Sequence, residues 1–389
     1  MYPRLLNPPK SSFFLFGPRS TGKTTWVESQ FKDALSFDLL EAATYTRLLA
    51  EPGRLSASIP ENHKNWIVID EVQRVPDLLN EVHRLIQKKK YRFVLTGSSA
   101  RKLRRGGVNL LAGRALTHSF FPLTARELGG DFNLAHALQY GMLPPVWSMD
   151  KPKAFLQSYI KTYLREEIQE EGLTRNLPAF SRFLEAATFS QGSILNISNV
   201  ARDAAVDRKV VEDYFSILDD LMLGVRLPVF SRRAKRALMQ RSKFYFFDVG
   251  VYRILRPRGP LDVESETDGP ALETLVLQEL RALNHYLDLE YELFFWHTKS
   301  DHEVDFVLYG PRGLIGMEVK RSSIFRESEL DGLKLFYKDY PIAKLYFLYG
   351  GTKRFHHSGA VYSVLKITTR HCESRSPHVR SRRKFTSAL

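Results

Sequence analysis

A chain of 389 residues is long enough for two or three domains, and at 43% hydrophobic residues it has the balance of a soluble protein. No run approaches the ~18 consecutive apolar residues of a membrane span, and the single cysteine, Cys372, excludes an intramolecular disulfide and a cysteine-based zinc site. The formal charge of +14 turns attention to polyanionic partners, with nucleic acid the first candidate.

The opening Met1-Tyr2-Pro3-Arg4 lacks the apolar stretch of a secretory signal, so a reducing cytoplasm is the expected compartment. Phe13-Phe14-Leu15-Phe16 reads as a buried strand, followed by Gly17-Pro18-Arg19-Ser20-Thr21-Gly22-Lys23-Thr24 and a helix from Thr25 onward. This G-x-x-x-x-G-K-T spacing, between a strand and a helix, is that of a phosphate-binding loop. Its glycines let the backbone curl so that successive N–H groups face phosphate oxygens, and the helix adds its positive end. Gly17 to Thr24, with Thr25, are therefore expected to bind ATP. Lys23 would reach the β- and γ-phosphates and Thr24 would ligate Mg²⁺.

Trp66-Ile67-Val68-Ile69-Asp70-Glu71 reads as a central parallel strand ending in two acids, at the edge where open α/β sheets place ligands. Asp70 is the expected partner of Mg²⁺ and Glu71 the candidate for polarising the attacking water. The helical spacing of Asp77 to Ile86 leads to another apolar strand, Tyr91 to Leu95, ending Thr96-Gly97-Ser98-Ser99. Ser98 is the first choice for a γ-phosphate sensor, with Thr96 the alternative. Among the arginines that follow, Arg114 is the first candidate for stabilising transition-state charge, in its own chain or a neighbour's.

The succession of Gly17–Thr24, Val68-Ile69-Asp70-Glu71, Leu95-Thr96-Gly97-Ser98-Ser99, Gly113-Arg114 and Phe121-Pro122-Leu123 resembles a prokaryotic AAA-type ATPase family with a restriction-endonuclease-like (PD-(D/E)XK) carboxyl-terminal domain. The resemblance spans nearly the whole chain apart from the tail. It implies the nucleotide roles above for Lys23, Thr24, Asp70 and Glu71, and leaves the arginine open.

From Ala125 to about Arg175 the pattern is helical, suited to a lid or a linker. Asn196–Ala205 and Asp207–Leu218 read as two short helices, capped by Ser198 and Asp207, with Val210, Tyr214, Ile217, Leu218 and Leu221 as the buried face. The strand-like Gly224–Phe230 and Lys243–Phe247 follow, which together resemble a winged helix. Its second helix would enter a major groove, although Glu212 and Asp213 are unhelpful beside phosphates. The basic run Arg232-Arg233-Ala234-Lys235-Arg236 lies in the wing connection.

Glu273–Leu280 reads as an amphipathic helix after Gly269-Pro270, then strands Glu292–His297, Glu303–Leu308 and Leu314–Lys320. Helix Glu, strand Asp, then Glu-x-Lys on the adjoining hairpin strand is the restriction-endonuclease-like order. Asp305, Glu318 and an apical Glu273 would hold a second divalent metal, and Lys320, on the face of Glu318, would activate water or neutralise phosphate charge. The tail after Arg370 is basic and has the composition of a disordered segment.

The fold class is thus α/β: a P-loop parallel sheet over 1–125, a helical lid or linker over 126–175, a winged helix over 176–260, a restriction-endonuclease-like domain over 265–369 and a tail over 370–389. The expected function is Mg²⁺-dependent ATP hydrolysis acting on DNA, with oligomerisation and a protein partner both open. The alternatives are a regulatory ATPase switch whose last domain binds without cutting, and an ATPase that remodels a protein.

Overall fold

The structure, a computed structural model, describes residues 2–101, 103, 111–164, 176–236, 238–259, 263–351 and 362–366. The basic tail and Cys372 lie outside them. The described residues form two compact units. One comprises the described residues of Arg4–Pro122 with Ser216–Leu223, and the other comprises the described residues of Met1–Pro3, Leu123–Phe215 and Gly224–Leu389.

The first unit is built on a five-stranded sheet of order β2-β3-β4-β1-β5, formed by β1 (Phe13–Phe16), β2 (Leu35–Asp38), β3 (Trp66–Asp70), β4 (Arg92–Gly97) and β5 (Leu116–Ser119). Every pairing in it is parallel. The helices α1 (Lys23–Gln30), α2 (Ala42–Ala50), α3 (Arg54–Ala57) and α4 (Leu78–Lys89) form the connections. The central strands β1, β3 and β4 are covered on both faces, which is why they are apolar runs rather than alternating ones. Phe14, Phe16, Ile67, Ile69, Phe93 and Leu95 join the core that includes Leu78, Leu79, Val82 and Leu85 of α4. On the other face Phe13 packs edge-on to Trp26 and Trp66, with ring centroids 6.4 and 5.9 Å away. Because all five strands run the same way, the loops after β1, β3 and β4 meet at one edge.

The second unit begins with α5 (Ala125–Leu128), closed by a capping box between Thr124 and Glu127, then α6 (Leu134–Tyr140) and α7 (Pro152–Ser158). Next come α8 (Leu177–Thr188), β6 (Ser193–Ile194), α9 (Ile197–Ala204), α10 (Arg208–Asp220, which counts with this unit only as far as Phe215), β7 (Gly224–Leu227) and β8 (Lys243–Phe246), with a three-stranded sheet of order β6-β8-β7. Its core is aromatic: Phe183 lies 4.9 Å from Phe215, and Phe215 lies 4.9 Å from Phe244. Two local expectations are corrected here. Asn196, not Ser198, caps α9, because its side chain accepts the Asn199 N–H at 3.3 Å. Val211 is fully buried while Val210 is only half-buried, so the inward face of α10 is rotated by one residue at its start.

After α11 (Val249–Leu255) the long α12 (Glu264–Tyr286) packs on a second five-stranded sheet, of order β13-β12-β11-β10-β9. Its strands are β9 (Glu292–His297), β10 (Glu303–Gly310), β11 (Gly313–Lys320), β12 (Lys344–Tyr349) and β13 (Tyr362–Lys366). The first three are antiparallel and the last two add in parallel, the β11–β12 crossover carrying α13 (Asp331–Asp339). Helix α12 runs through Pro270 instead of starting after it. Pro270 is the seventh residue of α12, so the helix gives up one N–H that would bond to the residue four before it, while the fixed φ of proline stays helix-compatible. Leu272, Val276 and Leu280 of α12 meet Phe306, Leu308, Ile315 and Met317 on one face of the sheet. Leu333 and Phe336 of α13 meet Trp296, Val307 and Leu345 on the other.

Candidate functional site

The phosphate loop is held open by backbone geometry. Ser20 (φ 58°) and Gly22 (φ 90°) adopt left-handed conformations, which turn consecutive N–H groups toward one concavity. Gly17 is required for a different reason: a Cβ there would lie 2.2 Å from the carbonyl oxygen of Phe120, so β1 and β5 can close on each other only at a glycine. Arg4 braces the loop from outside. Its Nη1 donates to the Thr21 carbonyl at 2.7 Å and its Nη2 to that of Phe121 at 2.6 Å, while its guanidinium lies 4.0 Å from the Phe120 ring centre. Inside, Thr21 Oγ1 donates to the Pro18 carbonyl at 2.7 Å. The Lys23 ammonium, 7% exposed, donates to the carbonyls of Gly17 at 2.6 Å and Pro18 at 3.1 Å, so it lies in the concavity. Thr24 and Thr25 are exposed in the first turn of α1, and Arg19 is half-buried.

The expected acids converge on this loop although β4 separates β3 from β1 in the sheet. Thr24 Oγ1 donates to Asp70 Oδ2 at 3.3 Å, and Asp70 Oδ1 accepts from the Thr96 hydroxyl and from the Glu71 N–H at 3.1 Å. Glu71 takes the left-handed conformation (φ 57°, ψ 44°), costly for a side chain with a Cβ, which turns its carboxylate away from that of Asp70. Gln73 then joins the two remaining candidates. Its Nε2 donates to the Glu71 carboxylate and lies 3.3 Å from Ser98 Oγ. Glu71, Gln73, Thr96 and Ser98 are all less than a tenth exposed. Gln73 was not among the expected residues. The signal for it was a polar side chain inside Val72-Gln73-Arg74, where only Val72 was needed for the core.

Arg114 does not join this group. It precedes β5, whose first residue Leu116 pairs with Phe13 at the start of β1, whereas the loop follows Phe16 at the end of that strand. Four residues of strand, about 13 Å, therefore separate its backbone from the loop. Its guanidinium instead reaches the Gln87 amide near the end of α4, whose oxygen, with the amide turned to face it, accepts from Nη2 at 2.7 Å and Nε at 3.2 Å. An arginine finger of the same chain is thereby corrected, because parallel strands put their two ends on opposite edges. Arg101, in the same stretch, pairs with Asp220.

The donor set fits Mg²⁺-ATP. Hard oxygen ligands from Thr24 and Asp70 suit Mg²⁺, and the loop N–H groups and Lys23 suit the phosphates. The parallel sheet and this loop have the form of a P-loop nucleotide-binding domain. In agreement, residues 9–129 match the family model described as an AAA domain. Residues 131–262 and 268–369 match two domains of unknown function, DUF8612 and DUF4143. The chain is similar to an uncharacterized protein of Mycobacterium tuberculosis, 29% identical over 90% of this chain and 79% of that protein. It is also similar to one of Methanocaldococcus jannaschii, 24% identical over 84% of this chain and 78% of that protein. A solved structure, the Aeropyrum pernix Orc1 protein in complex with DNA, aligns with 64% of this chain and 87% of its own at 16% identity. Its TM-score of 0.25 is below what a shared overall arrangement gives.

A second polar cluster lies in the other unit. Glu273, Asp305, Glu318 and Lys320 are brought together as expected, joined by Lys243, Glu303 and Tyr245. The β10–β11 register Phe306↔Met317 places Asp305 beside Glu318, and a bulge between Val304 and Val307 re-aims Asp305 on the β9 side. Asp305 Oδ2 accepts the Val319 N–H at 2.8 Å and lies 4.0 Å from the Lys320 ammonium, which contacts Glu318 Oε1 at 2.5 Å. The Lys243 ammonium contacts Glu303 and lies 3.7 Å from Asp305 Oδ1 and 3.8 Å from Glu273 Oε2. Tyr245 donates to that same Glu273 oxygen at 2.9 Å.

Burial, then the nearby Asp305 charge, raises the Glu273 carboxyl to about 7, and the same two causes push Glu318 well above the ordinary range. Burial by itself lowers the Lys243 ammonium, but Tyr245, Glu273, Asp305 and Glu303 together outweigh it and hold it well above the usual lysine value. The expected divalent metal does not fit this arrangement. Ammonium groups bridge the carboxylates, both Asp305 oxygens are engaged, and among the described residues no three His, Cys, Asp or Glu side chains form a metal-holding group.

The expected wing basicity is partly spent inside the unit. Arg232 pairs with Glu292 at 2.6 Å and Arg236 with Asp339 at 2.7 Å, although all four cations of that run, Arg232, Arg233, Lys235 and Arg236, are exposed. No helix among the described residues is long and apolar enough to cross a membrane.

Proposed function

We propose that this chain hydrolyses ATP with Mg²⁺ and uses the cycle to act on DNA. The observation that carries the enzymatic half is the pairing of Thr24 with Asp70 beside a separately oriented Glu71 that Gln73 ties to Ser98. One acid is held by hydroxyls for a metal, and the other is turned aside to take a proton from water. Lys23 and the loop N–H groups neutralise charge on the transferred phosphoryl group, the main task of such a site. Glu71→Gln in the full chain tests this. It is expected to bind ATP as wild type does and to lose turnover by about 10²-fold or more. Unchanged turnover would remove Glu71 from the mechanism.

The DNA half rests on the +14 net charge and on the middle of the second unit. The order helix, strand, helix, helix, strand, strand from α8 to β8, with a three-stranded antiparallel sheet, supports reading it as a winged helix. DNA affinity that differs between the ATP-bound Glu71→Gln form and the ADP form is the expected signature, and identical affinities would oppose the coupling. A second reading, a regulatory switch whose terminal domain binds without cutting, is favoured by one observation. The restriction-endonuclease-like quartet of Glu273, Asp305, Glu318 and Lys320 is bridged by lysines in a way that does not suit a metal.

A further inference from the structure

We propose that Lys243 is a built-in cation standing where a divalent ion would sit among Glu273, Glu303 and Asp305, so that the terminal domain works without metal and does not cleave phosphodiesters. This rests on the restriction-endonuclease-like reading of that domain. Four acids, Glu273, Glu303, Asp305 and Glu318, form a cluster whose charge would drive them apart in a protein interior unless cations held them. Lys320 serves Glu318 and Asp305 at the rim, where it is 36% exposed, and Lys243 serves the other side with only 4% of its side chain exposed. An ammonium is a compact point charge with three donors, and here it bridges three carboxylates as a metal would.

The lysine is also fixed. Lys243 opens β8 and is paired on both sides, with Ile194 of β6 and Leu227 of β7, while the preceding Ser242 carbonyl accepts the Leu195 N–H at 2.8 Å. Withdrawing it would break a three-stranded sheet, so this cation is a permanent member of the cluster. Its place at the start of an otherwise aromatic strand has a second consequence. It pins the middle sheet to the carboxylates of α12 and β10, making the cluster a joint within the unit.

The test is titration of the nucleotide-free full chain with Mn²⁺, for wild type, Lys243→Ser and Lys243→Ser/Asp305→Asn. The expected result is no Asp305-dependent binding in wild type. Lys243→Ser should gain a site on the order of 100-fold tighter than any wild-type site, because the competing charge is gone, and Asp305→Asn should abolish it. Wild-type Mn²⁺ binding that Asp305→Asn removes would overturn the inference while leaving the restriction-endonuclease-like reading intact. No binding in a folded Lys243→Ser would overturn the inference and that reading together. Should Lys243→Ser not fold, Lys243→Met takes its place, and the wild-type and Asp305→Asn titrations alone still decide against the inference if the wild-type ion is there.

Discussion

Replacing Gln73 by Leu isolates the contribution of a side chain that touches neither the loop nor the expected metal position. Leucine keeps the volume and the apolar packing on Gly97, whose missing Cβ leaves room for the Gln73 amide oxygen at 2.4 Å from where that Cβ would be. What disappears is the Nε2 donor shared by the Glu71 carboxylate and Ser98 Oγ. A hydrogen bond to a charged group is worth about 1.5–3 kcal/mol. If Glu71 is oriented through it, that translates into a turnover lowered by about 10- to 150-fold. Nucleotide affinity should stay at the wild-type value, because Lys23, Thr24 and Asp70 keep their partners. Steady-state phosphate release and equilibrium binding of a fluorescent ATP analogue separate the two. Turnover equal to wild type would refute the claim that Gln73 positions Glu71. An equal loss of affinity would show that it merely supports the loop.

Gly17→Ala should cost about 1–3 kcal/mol in denaturant unfolding, since its methyl group meets the Phe120 carbonyl at 2.2 Å, and should weaken ATP binding as well. Wild-type stability would mean that β1 and β5 separate easily. Glu279, which accepts the Ala125 N–H at 2.6 Å, is raised by burial to about 8 and is therefore protonated at neutral pH. Its folded value exceeds the unfolded one of 4.5, so its contribution is full below 4.5 and is lost as pH rises through 8, by up to about 5 kcal/mol. Glu279→Gln, an uncharged isostere, should flatten this loss when urea melts are compared between about pH 6 and about pH 9. Parallel pH profiles for the two proteins would show that Glu279 does not titrate in that window.

The phosphate loop was legible because its chemistry is local: glycines, a lysine and a hydroxyl at fixed spacing need only a strand before and a helix after. Asp70 and Glu71 followed from their place at a strand end. Gln73 was not legible, since its role depends on the left-handed turn at Glu71 and on the absent side chain of Gly97, and neither leaves a spacing pattern. Arg114 misled because a distance along the chain does not tell which edge of a parallel sheet a residue occupies. In the second unit the quartet was readable from the order helix, strand, hairpin strand. Lys243 was hidden as the first residue of an aromatic strand, 62 positions from Asp305, and only the fold brings them within 3.7 Å.

The two acidic sites of this chain differ in the way their proposed roles require. Asp70 is half-buried and held by two hydroxyls and one N–H, groups that fix a carboxylate without neutralising it, so its charge stays available to an ion. Asp305 is 4% exposed and lies between two ammonium groups, so its charge is already matched. A carboxylate kept for a metal must be both oriented and uncompensated, because an ion has to repay its own dehydration. By that criterion the carboxylate beside the phosphate loop suits a divalent cation, whereas at Asp305 protein cations do the corresponding work. Asp70→Asn should then lose Mg²⁺-dependent ATP turnover, while Asp305→Asn should leave that turnover unchanged, and a parallel loss of Mg²⁺-dependent hydrolysis in both variants would break the distinction.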